Sequence, residues 1–535
     1  MKDASDSASV LLDGSDKSET RVWSSFLTSR RVDWQANRAG QANKVNQANR
    51  AGLSPLFWSA ILGCVSLWLI MIGTSINSSP FTLHASGSWF FSTGPATNNE
   101  MFLSLVMVYG GLLLFLRVWI DLIRWLEESP GLPVAKLIPV FALWVIPMLI
   151  VPPLFSKDVY SYAAQGEMVS HGISPYSYGP GILGGTKFLN LADPLWQNAP
   201  TPYGPLVLGM DGWIVNLTGH SVLGTVVIMR ILAFAGVISA AVFIPRIARH
   251  FGRDGAVGFA FAILNPVTLF HLIGGSHNDA IMIGLLVPGI WFALDKKPIW
   301  GIFLCTLAAA VKAPAELAVV YIGWNWVDAK VPLRSRFRPI LTAGVISGAI
   351  MAFISWATGL GWGWLGALGT PGTVVSLISP TTLVGTILGK IAGLVGLGAS
   401  QQFLLSFSRA VGLLVAFSLC IVILRFSDRL GSVRALGVSL LIVVLLGPVV
   451  QPWYLSWGLI LTAAVASGKL RKVVMFLSIA VCFIGLPGAT DLLHFLLHAN
   501  LLSILTSLGI LVLVLTTPLK GWVRRLMSWR ATALN

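Results

Sequence analysis

The segment WGIFLCTLAAAVKAPAELAVVYIGW (Trp300–Trp324) is apolar enough to lie in a bilayer, yet it reads badly as a single crossing. Lys296 and Lys297 precede it, and Lys330, Arg334, Arg336 and Arg338 follow it. One crossing would strand a basic cluster outside, against the preference of Lys and Arg for the cytoplasmic side. Its middle offers a way out. Pro314 has no amide proton to donate, and it disfavours helix at the residue before it. The segment is therefore expected to form two short helices, 299–311 and 314–327, as a hairpin with Lys312–Ala313–Pro314 at the apex. The stretch 435–467 has the same form, with Arg434 and Lys469/Arg471 at its ends and GPVVQPWYLSW (Gly447–Trp457) in its middle.

Working outward, apolar runs fall at 56–75, 101–124, 134–152, 221–244, 255–273, 279–295, 339–359, 404–425, 472–488 and 500–518. Only 11% of the 535 residues are charged and 55% are hydrophobic, with a mean hydropathy of +0.78. Soluble domains carry roughly 25% charge, so the fold class expected is all-α: a polytopic transmembrane bundle of about 12–14 helical segments, two of the pairs being short re-entrant-like hairpins. The apolar runs are continuous rather than alternating, which excludes a membrane β-barrel. With the hairpins in place, Arg30, Arg31, Arg38, Lys44 and Arg50 share one side with every later basic cluster, through Lys520, Arg524, Arg525 and Arg530. That side is read as cytoplasmic. Residues 1–54, with the quasi-repeat QANRAGQANKVNQANRAG, are expected to be a disordered cytoplasmic tail, 55–520 the membrane domain and 521–535 a basic tail. The net charge of +15 is thus a topological signal, not a nucleic-acid footprint. Cys64, Cys305, Cys420 and Cys482 lie in apolar runs without metal spacing and read as core residues.

The chemistry must then sit at outer loops and helix ends. The outer acids are Glu100, Asp158, Glu167, Asp193, Asp211, Asp279 and Asp491. Asp158 follows an apolar run most closely, and charge at such depth marks a pathway or a site. A bland reading pairs it with Lys157 or has it cap the helix expected over VYSYAAQGEMVS. The loops SPYSYGP and PTPYGPL hold aromatic rings in non-helical chain, as sugar sites do, although aromatic belts at interfaces look alike. GGSHNDA (Gly274–Ala280) is a tight turn opening a helix. Ser276 or Asn278 can cap it, which leaves His277 and Asp279 for substrate. No second His stands at ligand spacing, so no metal is expected. Lys312, Arg230 and Arg409 fall within apolar runs and together suggest an anion at membrane depth, a lipid phosphate being the natural one. For Lys312 the competing partner is Glu316, one turn on.

SKDVYSYAAQGEMVSHGISPY (Ser156–Tyr176), GGSHNDAIMIGLL (Gly274–Leu286) and QPWYLSW (Gln451–Trp457) resemble the actinobacterial polyprenol-phosphomannose-dependent α-1,6-mannopyranosyltransferases, MptA and MptB, of the GT-C class. The likeness covers about 55–520. It implies a GT-C bundle in the plasma membrane with its active site on the extracytoplasmic face and Asp158 as the catalytic acid. It further implies a polyprenyl-phosphate mannose donor, a lipid-linked mannan acceptor, and elongation of the α-1,6-mannan backbone of lipomannan and lipoarabinomannan.

The residues fit that chemistry. A polyprenyl phosphate leaves without a general acid but needs its charge offset, for which Lys312, Arg230 and Arg409 are candidates. The acceptor 6-hydroxyl needs a base, for which Asp158 is best placed. A β-linked donor attacked once gives an α product, hence inversion. Tyr160, Tyr162, Gln165, Tyr176, His277, Asn278, Asp279, Gln451, Trp453 and Tyr454 are the expected sugar contacts. No cofactor is expected, and a monomer surrounded by membrane lipid is. The alternative is a transporter or flippase of a lipid-linked sugar, but no internal repeat is visible and the acids cluster at the rim.

Overall fold

The structure, a computed structural model, describes residues 54–75, 89, 98–396, 400–484 and 486. The expected N-terminal tail, most of the first outer loop, Asp491, the run 500–518 and the basic C-terminal tail lie outside them, as does the side chain of Glu100.

Every regular element among the described residues is helical. Among the described residues five helices are long and apolar enough to cross a membrane: Pro55–Ser75, Ser104–Glu128, Val222–His250, Leu333–Ala357 and Gln401–Arg425. Their exposed side chains are apolar, the reverse of a soluble surface. Phe57, Ile61, Val65, Trp68 and Ile72 form one such stripe, at helical spacing. Phe403, Phe407, Val411, Leu414 and Ile421 form another. The protein is a multi-pass helical membrane protein.

Several runs read as full spans are short or broken. The run 255–273 becomes the helix Gly255–Ala262, a break at Asn265–Pro266 and a π-helical turn, Thr268–Gly274. Pro266 cannot continue the ladder, and Asn265 repairs the gap. Its Oδ1 accepts the Val267 amide at 2.9 Å, and its Nδ2 donates to Phe261 O at 3.0 Å and Ser478 Oγ at 2.8 Å. The π turn and the next helix, α1 (Asp279–Leu294), meet at 115°. The apolar helix at the end of 134–152, Ile138–Ile150, is 13 residues long, too short to cross alone. The stretch 360–403, which lies between the apolar runs 339–359 and 404–425, carries the helix Pro380–Leu394, packed on Gln401–Arg425.

Both expected hairpins form. Pro298–Ala309 packs on Glu316–Asn325 around a turn at 310–315, and Ser432–Leu445 packs on Ser456–Val465 around 446–455. Their open ends gather at one pole of the bundle, where Lys296, Pro298, Asn325, Ser432 and His250 line one cavity of about 400 Å³. Ion pairs between Arg336 and Asp428, at 2.8 Å, and between Arg471 and Glu127 tie the same pole. The apices point to the opposite pole.

One crossing fixes how closely the bundle closes there. The helix Val222–His250 and α1 touch at Gly236 and Gly284, where a Cβ on Gly284 would come within 2.4 Å of Gly236 Cα. That contact is backbone on backbone and has no side chain that can swing away. Gly284→Val should therefore cost at least the about 1–3 kcal/mol typical of overpacking, read as a lower melting temperature in detergent. A melting temperature equal to wild type would show that the two helices are not in this contact.

Candidate active site

Four chain segments converge at the apical pole. The first is α2 (Asp158–Ser170), buried from Asp158 through Met168. It starts at Asp158 because Pro152 and Pro153 stop the preceding helix and Ser156 Oγ accepts the Asp158 amide at 3.0 Å. The second is the turn Gly274–Asn278, which feeds α1. The third and fourth are the two hairpin apices.

Asp158 and Asp279 are each the first residue of a buried helix, where the helix dipole favours a negative charge. Lys312 Nζ donates to both Asp279 oxygens at 2.9 Å, and the Trp457 indole N–H donates to Asp279 Oδ1. The same ammonium lies 4.4 Å from the Tyr454 ring centre and 5.2 Å from that of Tyr203. The backbone locks the aromatic loop onto this apex. Gly204 N donates to Val311 O at 3.0 Å and Leu206 N to Ala310 O at 3.0 Å. Gly204 allows this approach, since a Cβ there would lie 2.1 Å from Ala310 O.

Around Asp158, Tyr162 lies one helical turn on and its hydroxyl donates to Asp158 Oδ2 at 3.3 Å. His277 Nδ1 is 3.2 Å from the Tyr162 hydroxyl and 3.6 Å from Asp158 Oδ2. The His277 ring stacks on Trp453, centroids 3.9 Å apart. Burial raises the Asp158 carboxyl to about 7, Lys312 pulls it down, and Asp193 and Asp279 push it up. Burial also holds the Tyr162 and Tyr203 phenols well above their ordinary range, so both remain neutral O–H groups.

Several buried polar atoms here have no protein partner among the described residues. They are His277 Nε2, both amide atoms of Asn278, Trp453 Nε1 and both nitrogens of His271. A buried polar group without a partner costs about 1–3 kcal/mol, so such a concentration calls for water or a ligand.

The structure brings Asp158, Tyr162, His277, Asn278, Asp279, Lys312, Trp453 and Tyr454 together, although they span some 300 residues of chain. Tyr176 supports the Tyr203 loop by donating to Tyr203 O at 3.0 Å. Gln165 accepts from Thr201 Oγ1 at 3.1 Å, and Gln451 opens the second apex. Tyr160, two residues from Asp158, lies on the other side of α2, beside Arg230.

The cations depart from expectation. Lys312 pairs with Asp279, not with Glu316, whose carboxylate accepts from Ser347 Oγ at 2.8 and 3.0 Å. Arg230 and Arg409 both donate mainly to backbone carbonyls. The Arg230 guanidinium donates to Leu149 O, Val151 O, Gly274 O and Ser276 Oγ, thereby fixing the Gly274–Asn278 turn. That of Arg409 donates to Gly372 O, Val374 O and Thr382 Oγ1. Each repairs irregular chain whose carbonyls lack helix partners, a need that residue type alone does not reveal. Nor does Asn278 cap α1 with its side chain, or Asp158 pair with Lys157.

Sequence reading missed His271 and Trp457, and it marked Tyr203 only as part of the aromatic loop PTPYGPL. His271 had a signal, a second imidazole six residues before His277 in FHLIGGSHNDA. Trp457 closes the motif QPWYLSW, and its contact with Asp279 shows only once the apices meet.

A buried carboxylate that titrates near neutrality, with neutral hydroxyl and imidazole donors around it and an ion pair behind it, can take a proton from a hydroxyl held against it. Unsatisfied donors and stacked rings alongside can hold a polyhydroxylated ring. Residues 60–328 match the alpha-(1->6)-mannopyranosyltransferase N-terminal domain, and residues 381–517 match the MptB C-terminal domain. The chain belongs to the alpha-(1->6)-mannopyranosyltransferase family. It is 35% identical over 401 residues to a probable alpha-(1->6)-mannopyranosyltransferase of Mycolicibacterium smegmatis, covering 68% of this chain and 71% of that one. It is 32% identical over 450 residues to an alpha-(1->6)-mannopyranosyltransferase of Mycobacterium tuberculosis, covering 72% and 75%. It is 29% identical over 465 residues to alpha-(1->6)-mannopyranosyltransferase B of Corynebacterium glutamicum, covering 78% and 77%. No solved structure matches the chain. The family match spans every segment that builds the apical cluster, Asp158, Asp279 and Lys312 in its first part and Trp453 and Tyr454 in its second.

Protonated Asp158 stabilises the fold. Its carboxyl holds a proton up to about 7 when folded and to roughly 3.9 when unfolded. The folded state thus binds more protons between those values, and stability falls as pH rises through that window, by at most about 1.4 kcal/mol per unit. Asp158→Asn should lack that slope. Parallel melting curves from about pH 4.5 to about pH 8 test this, and identical pH profiles for the two proteins would contradict it.

Proposed function

We propose that this membrane protein is an inverting α-1,6-mannosyltransferase. It moves mannose from polyprenyl-phosphate mannose to the 6-hydroxyl of a lipid-linked mannan acceptor, extending the α-1,6-mannan backbone of lipomannan and lipoarabinomannan. The observation that carries the reading is Asp158, a buried carboxyl raised to about 7 beside the Lys312–Asp279 pair and a set of unsatisfied sugar-compatible groups.

In this mechanism Asp158 removes the proton of the acceptor hydroxyl as its oxygen attacks C1 of the mannose. The C1–O bond to the lipid phosphate breaks, and its electron pair leaves on the phosphate. Lys312 is the cation nearest this chemistry and offsets the developing charge, its third ammonium proton being free of Asp279. Tyr162 and His277 orient the Asp158 carboxyl. His271, Asn278 and Trp453 supply hydrogen bonds to sugar hydroxyls, and Tyr203 and Tyr454 offer ring faces. Asp279 is engaged by Lys312 and does not offer a second free carboxylate beside Asp158, which favours single displacement over a covalent intermediate. The basic clusters gather at the pole opposite the cluster, which supports a site on the extracytoplasmic face of the plasma membrane. All the groups named come from one chain, so a monomer suffices.

The direct assay uses purified protein, radiolabelled polyprenyl-phosphomannose and a short α-1,6-mannoside. Transfer should be seen, and Asp158→Asn should lower turnover about 100-fold or more, the scale for loss of a general base. Turnover near wild type in that variant would move the base elsewhere. Lipid-linked sugar translocated across vesicles without transfer would favour a flippase.

A second test uses pH. Activity should rise with pH through about 7 as Asp158 ionises. Lys312→Met with Asp279→Asn removes both partners and leaves no unpaired buried charge. Lys312 is the stronger influence on Asp158 and lowers its value, so the acid limb of kcat/KM should move to higher pH in the double variant. A limb that stays in place, or moves down, would separate Lys312 from Asp158.

A further inference from the structure

At the far end of α2 from Asp158, three metal-ligating side chains face one another. Glu167 is buried, while His171 and His220 are about half exposed, with side-chain exposures of 53% and 44%. His171 Nε2 lies 3.2 Å from Glu167 Oε1, and His220 Nδ1 lies 2.7 Å from Glu167 Oε2. The two imidazoles stack, centroids 5.5 Å apart and 12° from parallel. One nitrogen from each and a carboxylate oxygen all lie within 4.8 Å of one another.

The backbone holds this arrangement deliberately. Glu167 and His171 are one helical turn apart on the same face of α2. His220 reaches them from the turn before the helix Val222–His250, with φ of +60°. A histidine rarely occupies that left-handed region, which costs about 1 kcal/mol or more for a residue with a Cβ. Its amide donates to Val215 O at 3.0 Å, which fixes the turn. From this turn the imidazole meets Glu167.

We infer that Glu167, His171 and His220 form a divalent-metal site, with zinc as the fitting ion. Two imidazole nitrogens and one carboxylate oxygen are a zinc donor set, which leaves the fourth tetrahedral position to water. Zinc sits about 2.0–2.2 Å from such ligands, so the His220–Glu167 hydrogen bond must open a little while the wider pairs draw in, and two half-exposed imidazoles can do this by side-chain rotation. The ion would tie the end of α2 to the turn before Val222. Asp158 is nine residues back, roughly 13 Å along the helix at 1.5 Å per residue. The metal therefore acts on the placement of α2 and does not touch the reacting groups. The proposal stands apart from the transferase reading.

The test uses tag-free full-length protein in detergent, stripped with EDTA and desalted, then incubated with zinc chloride and desalted again. Wild type should retain about one zinc per chain by elemental analysis, and its melting temperature should rise with zinc. Cobalt(II) should give visible ligand-field bands with wild type. His171→Ala, at an exposed position, and the double variant His171→Ala/His220→Asn should lose zinc, the zinc-dependent rise and the bands. Asparagine tolerates the left-handed conformation of residue 220. If the double variant does not fold, His171→Ala alone decides. Zinc retained equally by wild type and His171→Ala, or by neither, would overturn the site and leave a hydrogen-bonded Glu–His–His cluster.

Discussion

The Lys312–Asp279 ion pair is the constraint on which the apical pole depends. Both groups are almost fully buried, and taking two charges out of water costs several kcal/mol per ion unless each is closely paired. The cost is met only if the first hairpin's apex stands against the start of α1, and only if Trp457 from the second hairpin and Tyr203 from the loop close around them. Four distant segments are thus forced into one place by one electrostatic requirement. Asp158 then finds itself beside a fixed positive charge and a fixed negative one. Burial raises its carboxyl and Lys312 limits the rise, which leaves it near the value useful for proton transfer at neutral pH.

Irregular backbone is the second theme. Spanning helices satisfy their own hydrogen bonds, whereas turns at membrane depth do not. The site is built where the chain is least regular: the π turn, the GGSHNDA bend and the two apices. Arg230 and Arg409 pay for that irregularity by donating to exposed carbonyls. Arg230 joins the end of the helix Ile138–Ile150 to the Gly274–Asn278 turn, so it supports the cluster from behind without entering it.

What the sequence could reveal followed from what is local. The hairpins were legible because charge flanks a proline-broken apolar run, a pattern visible in one short stretch of chain. Asp158 was legible because it follows an apolar run so closely. The family was legible in three motifs. The partner of Lys312 was not, because Glu316 is one turn away in sequence whereas Asp279 is 33 residues away, and only packing decides between them. The backbone partners of Arg230 and Arg409 were hidden for the same reason: the carbonyls they meet are orphaned by breaks that hydropathy does not mark. The 360–403 stretch falls between the apolar runs 339–359 and 404–425, yet Pro380–Leu394 in it is a helix with Pro at its first position, where proline is welcome. The Glu167–His220 contact joins residues 53 apart, so no spacing rule for metal ligands could find it.

The central claim is that mannosyl transfer takes place where the hairpin apices meet Asp158. An experimental structure with a non-transferable analogue of polyprenyl-phosphate mannose and a short α-1,6-mannoside tests it most directly. The account predicts the mannose against His277 and Trp453, its phosphate on the Lys312 side, and the acceptor 6-oxygen within hydrogen-bond reach of Asp158 and about 3–3.5 Å from C1. A sugar bound at the opposite pole, in the cavity lined by Lys296, Asn325 and Val433, would contradict it.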